Sequence, residues 1–85
     1  MNWALHIREK AKKVISHFPK KEQGKVNETL LELSVNPYSG DLVKLGGEDN
    51  LWRRRVGAYR IKFQIRNKER IIYIYEIGRR TSKTY

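Results

Sequence analysis

Between residues 51 and 77, three strand-like runs are separated by very short turns. Trp52 to Val56 and Tyr59 to Arg66 flank Gly57-Ala58, and Ile71 to Ile77 follows the turn at Asn67-Lys68-Glu69. Connections this short join antiparallel strands, because a parallel return needs a crossover of a dozen or more residues. The C-terminal part is therefore predicted to be an antiparallel sheet. The last run, IIYIYEI, is apolar on both faces, which predicts a central strand covered on each side. LVKL (Leu42 to Leu45) is a short strand leading into the loop GGEDN, and GRRTSKTY reads as a polar tail.

Upstream the period changes. NWALHI (residues 2–7) alternates, with Trp3, Leu5 and Ile7 on one face, and predicts a first strand. From Arg8 to about His17 the apolar positions Ala11, Val14, Ile15 and Phe18 follow the spacing of one helical face. Pro19 interrupts that pattern and suits the start of a second helix, from about Lys20 to Val35, with Val26, Leu30 and Leu33 buried and Leu31 at the border. Gly24 weakens this helix by up to ~1 kcal/mol relative to alanine, and NPYSG (Asn36 to Gly40) ends it. The tight junction makes the two helices an antiparallel hairpin. The fold class is α+β: a strand, then a helical hairpin packed on one face of a mainly antiparallel sheet.

An 85-residue chain makes one small domain, 1–85, without internal repeats. It has no cysteine, so its core must hold without disulfides and no thiolate metal site can form. No run approaches the ~20 apolar residues of a membrane span. MNWALHIREK lacks the pattern of a secretory signal, so a cytoplasmic location is expected.

The net charge is +10 and is unevenly placed. Residues 1–50 carry eight Lys/Arg against seven Asp/Glu, whereas residues 51–85 carry eleven against two. That asymmetry points to a polyanionic partner, nucleic acid before an anionic membrane. Eight of the eleven basic residues are arginines, whose planar fork suits phosphate. If Trp52 and Val56 face the helices, alternation turns Arg53 and Arg55 to the opposite face. Arg60, Lys62 and Gln64 join them there, while Tyr59, Ile61, Phe63 and Ile65 point to the core. Arg54 falls among the core residues and is expected to snorkel at a sheet edge. Cations on an exposed sheet face with tyrosines nearby fit phosphates and stacked bases. Conventional acid–base chemistry is not evident: residues 51–85 hold no paired acids and no histidine. Glu76 is expected to balance local charge, and His6 and His17 to be surface or half-buried residues without a catalytic role.

The order of these elements, with LVKLGG, LWRRRVGAYRIKFQI and IYIYEIGRR, resembles the RelE/ParE superfamily of bacterial and archaeal toxins over essentially the whole chain. The WRxRVGxYR element carries most of the likeness, and Arg54 stands where the family usually has an apolar residue. The resemblance implies a toxin neutralised by a cognate antitoxin protein that wraps it. RelE-type members cleave mRNA in the ribosomal A site without a metal or other cofactor, and ParE-type members inhibit DNA gyrase. Carried over by position, Arg60, Arg80 and the terminal Tyr85 are the expected catalytic residues. Lys44, Arg53, Arg55, Lys62 and Arg79 are the expected RNA-binding residues. The RelE-type activity is the primary expectation. A gyrase inhibitor and a non-catalytic RNA-binding module are the alternatives.

Overall fold

The computed structural model describes residues 3–45 and 50–79. Five strands and two helices follow in the order β1 (Ala4–Ile7), α1 (Glu9–Ser16), α2 (Lys20–Val35), β2 (Leu42–Lys44), β3 (Leu51–Val56), β4 (Tyr59–Arg66) and β5 (Ile71–Arg79). The strands form one sheet in the order β1-β5-β4-β3-β2. All neighbours are antiparallel except β1 and β5, which run parallel with Ala4 opposite Ile71 and Ile7 opposite Ile74.

The helices cover one face. Ala11 from α1 and Val26, Leu30 and Leu33 from α2 meet Tyr59, Ile61, Phe63, Ile65, Ile72, Ile74 and Ile77 in a single core. The side chains of β4 alternate strictly between buried and half-buried up to Ile65, as a strand with one covered face requires. Phe18, at the helix junction, stacks on Tyr59 with ring centroids 4.2 Å apart. The Gln23 side chain donates to the Phe18 carbonyl at 2.8 Å and ties the two helices together where Pro19 caps α2. Leu31, predicted at the border of the stripe, is exposed.

A Cβ added at Gly24 would meet nothing within 4 Å. Gly24→Ala is therefore expected to stabilise the fold by up to ~1 kcal/mol, read as a higher midpoint in urea denaturation.

Two expectations are corrected. The apolar run of β5 is not covered on both sides: β1 and β4 flank it within the sheet, but the helices lie on one face only. The other face carries half-buried Tyr73 and Tyr75, whose rings tolerate a wet surface better than aliphatic side chains would. Arg54 does not snorkel outwards either. Its side chain is 11% exposed, with Nη2 2.8 Å from Glu32 Oε1 of α2 and Nη1 donating to the Ser39 carbonyl at 3.2 Å. The Asn36–Gly40 turn is built to receive it. Asn36 Oδ1 accepts from the Tyr38 N–H, and Gly40 takes φ +80°, leaving room for the guanidinium above its Cα.

Candidate nucleic-acid interface

The register of the sheet sets the open face. Arg55 lies opposite Arg60, and Arg60 opposite Gly78; two residues along, Val43, Arg53, Lys62 and Glu76 lie side by side across four strands. The four cations predicted to share a face thus do so, in two adjacent rows. Like charges directly opposite one another cost a sheet ~0.2–1 kcal/mol per pair. The Arg55–Arg60 and Arg53–Lys62 pairs therefore weaken the fold that carries them.

The Nε–H groups of Arg53, Arg55 and Arg60 are buried and have no acceptor among the described residues. Those buried nitrogens are out of an outside anion's reach, so the donors each guanidinium offers are its terminal Nη groups. Lys62 differs, with its Nζ 3.5 Å from the Glu76 carboxylate. A small cavity of about 80 Å³ opens here, lined by Arg60, Lys62, Glu76, Gly78 and Arg79. Gly78 helps keep it open, since a Cβ there would meet nothing within 4 Å.

Glu76 reaches this face through an irregularity in the strand. Lys62 pairs with Glu76 but Phe63 pairs with Ile74, so Tyr75 is an extra residue on β5. Uninterrupted alternation from Ile72 and Ile74 would aim Glu76 into the core and Ile77 outwards. The bulge exchanges them, leaving Ile77 3% exposed in the core and placing Glu76 beside the cations.

The remaining sequence-predicted site residues fare differently. Arg79 lines the cavity. Lys44 does not join the rows: it lies opposite Trp52 on the helix-covered side, with Nζ 5.9 Å from the centre of that ring. A three-residue strand has too little alternation to fix its register from sequence, and it is Val43 that shares the open face. Arg80 and Tyr85 lie outside the described residues. His6 and His17 are both exposed, as expected. His6 nevertheless reaches the open face, because the parallel pairing of β1 places it opposite Tyr73, ring centroids 6.4 Å apart. Pairing between the first and last strands is non-local, so no nearby residue could have signalled it.

The arrangement suits binding and charge stabilisation more than proton transfer. Guanidinium groups donate hydrogen bonds and hold their protons, so the arginine rows supply fixed positive charge. Among the described residues, no group of three His, Asp or Glu side chains comes together to hold a metal ion. Among the same residues, no helix is long and apolar enough to cross a membrane.

Comparison with known proteins agrees with this geometry. The chain is 29% identical over 83 residues to the putative toxin RelE1 of Methanocaldococcus jannaschii, a match covering 94% of this chain and 92% of that protein. It superposes on a chain of the archaeal RelE–RelB complex from Pyrococcus horikoshii with a TM-score of 0.85 and 25% identity, covering 98% of this chain and 100% of that one. The isolated RelE toxin of E. coli shares the fold, with a TM-score of 0.83 at 17% identity over 95% of this chain and 87% of that one. The sequence model of the ParE toxin of type II toxin–antitoxin systems matches residues 3–83. With the arginine-bearing strands and the two-helix cover both inside that match, the chain belongs to this toxin family, within the RelE/ParE superfamily.

Proposed function

We propose that the protein is a ribosome-dependent endoribonuclease that cuts translated mRNA and so stops protein synthesis. The observation that carries this reading is the pair of cationic rows, Arg53–Lys62 and Arg55–Arg60, on the sheet face that the helices leave open. In the proposed reaction the ribose 2′-oxygen attacks the adjacent phosphorus, and the 5′-oxygen leaves. Negative charge grows on the phosphorane oxygens, where preorganised cations stabilise it more than they stabilise the ground state. Arg60, beside the cavity floored by Gly78, takes that part, and Arg80 is assigned the same role from its place in the sequence. Lys62, Arg53 and Arg55 hold the backbone phosphates. Tyr85 is the proposed proton-transfer group. The ribosome supplies the remaining acceleration by holding the mRNA in a reactive conformation, so the toxin needs no self-sufficient acid–base pair and no metal. This reading places the protein in the cytoplasm.

Inducing the protein in bacteria tests the proposal. Translation is expected to stop, with primer extension on a reporter showing cuts inside translated codons. An untranslated copy of the same reporter is expected to stay intact.

The family match supports a second reading, inhibition of DNA gyrase, because the matching model describes ParE toxins. Intact mRNA together with an induced DNA-damage response would favour it.

The solved relatives include RelE bound to RelB, and we infer a cognate antitoxin for this chain also. An acidic or amphipathic segment is expected to cover the cationic rows, since charge complementarity speeds encounter. The association rate should then fall steeply between low and high salt in stopped-flow measurements. A salt-independent association rate would place the antitoxin elsewhere on the surface.

A further inference from the structure

Phosphate binding accounts for only one end of the open face. Beyond the row of Arg53 and Lys62, the next row is formed by Leu51, Gln64, Tyr73 and His6, in register across β3, β4, β5 and β1. The bulge adds Tyr75 between the two rows. The rings of Tyr73 and Tyr75 lie 6.5 Å apart, inclined by only 22°. With Leu51 and Gln64 they line a shallow depression of about 420 Å³. The Arg66 guanidinium sits 5.3 Å from the Tyr73 ring centre, and its Nε donates to Gln64 Oε1 at 2.8 Å. That bond commits the amide oxygen of Gln64, leaving its NH₂ as a donor toward a ligand.

Two near-parallel aromatic rings in a shallow, weakly polar hollow suit flat, π-faced groups. The cationic row begins about 7 Å away, two residues along the strands. That is the order of the distance between a nucleotide's base and its phosphate. A single strand of RNA carries both chemistries in one repeating unit. An acidic peptide matches the cations but has no regular supply of planar groups for the rings.

We propose that Tyr73 and Tyr75 form a stacking site for the bases of single-stranded RNA whose phosphates lie on Arg53, Lys62 and Arg60. This rests on the reading of the cationic rows as an RNA site and adds where the bases go. Base–aromatic stacking tolerates any base, so the site sets the path and grip of the strand without selecting a sequence.

The test uses the full chain and a short 2′-O-methyl oligoribonucleotide, which lacks the attacking hydroxyl, beside the same backbone made abasic. Binding is followed by fluorescence anisotropy over a salt series. The wild-type protein should bind the base-bearing strand about tenfold or more tightly than the abasic one, the scale of a lost stacking contact. Tyr73→Leu and Tyr75→Leu keep apolar bulk and should remove most of that preference. Tyr75→Phe should retain it. None of the three should change the salt slope, because the phosphate contacts remain. Equal affinity of the wild type for both strands overturns the stacking site, and so do leucine variants that keep the full preference. Leucine variants that bind RNA normally but lose the antitoxin would assign the hollow to that protein instead. Failure of the wild type to bind either strand would sink the RNA reading itself, whereas equal, salt-sensitive binding of both would sink only the stacking site.

Discussion

Arg60→Ala is expected to lower the rate of mRNA cleavage by about 10²–10³-fold at saturating protein, the usual loss when one preorganised stabiliser of transition-state charge is removed. Raising the concentration should not restore it, because the missing interaction belongs to the transition state more than to binding. Lys62→Ala provides the contrast. Its ammonium already shares charge with Glu76 at 3.5 Å and is read as a backbone contact. That variant should bind more weakly, lose about one unit of salt slope, and recover near-normal cleavage at high concentration. Unfolding is not expected to confuse the result. Removing Arg60 relieves its repulsion from Arg55 directly opposite, so the midpoint of thermal unfolding should hold or rise. If Arg60→Ala is rescued by concentration as Lys62→Ala is, both residues merely attract RNA.

Arg54 should show the opposite pattern, with a large effect on stability and none of its own on chemistry. Arg54→Ala removes the bond to the Ser39 carbonyl, the pair with Glu32 and the packing of a side chain that is only 11% exposed. Glu32 is itself 60% exposed, so the ion pair contributes little and most of the loss comes from the carbonyl bond and the buried stem. Together these amount to about 2 kcal/mol, or roughly a 10 °C fall in melting temperature for a domain of this size. Gly40→Ala should act through the same contact. Its backbone sits at φ +80°, and a new Cβ would overlap the Arg54 guanidinium. Each substitution alone disturbs the clamp. Once Arg54 is gone, Gly40→Ala retains only its backbone cost of about 1–2 kcal/mol. The double variant is therefore expected to be about 1 kcal/mol more stable than the sum of the single effects predicts. Strict additivity in urea denaturation would show that the turn and the arginine are independent.

The clamp also shows what the sequence could and could not reveal. Helix α2 was legible because Val26, Leu30 and Leu33 keep helical spacing and Asn36-Pro37 stops it, and the observed span is Lys20–Val35. Strand β4 was legible for the same kind of reason, since Tyr59, Ile61, Phe63 and Ile65 alternate with polar neighbours. From those two periods the cationic face followed. Alternation also placed Arg54 on the core side, but it could not supply its partners, which lie 22 and 15 residues away.

Three features of the site depended on information that no short window contains. The parallel pairing of β1 with β5 joins opposite ends of the chain and brings His6 to the open face. The bulge at Tyr75 reverses the direction of Glu76, although the run IIYIYEI reads as apolar on both sides. The register of β2 sends Lys44 to the helix-covered side because three residues carry no resolvable period. Local pattern predicted the strands. Pairing between distant strands then decided which side chains shared the site.

The proposed action on mRNA held in the ribosome can be tested directly. Purified protein should be added to ribosomes carrying a defined mRNA with an empty A site, and in parallel to the same mRNA free in solution and to gyrase relaxing and supercoiling a plasmid. The expected result is a cut within the A-site codon on the ribosome, far slower cleavage of the free mRNA, and unchanged supercoiling. Intact mRNA on the ribosome together with blocked supercoiling would contradict it and assign the cationic face to gyrase.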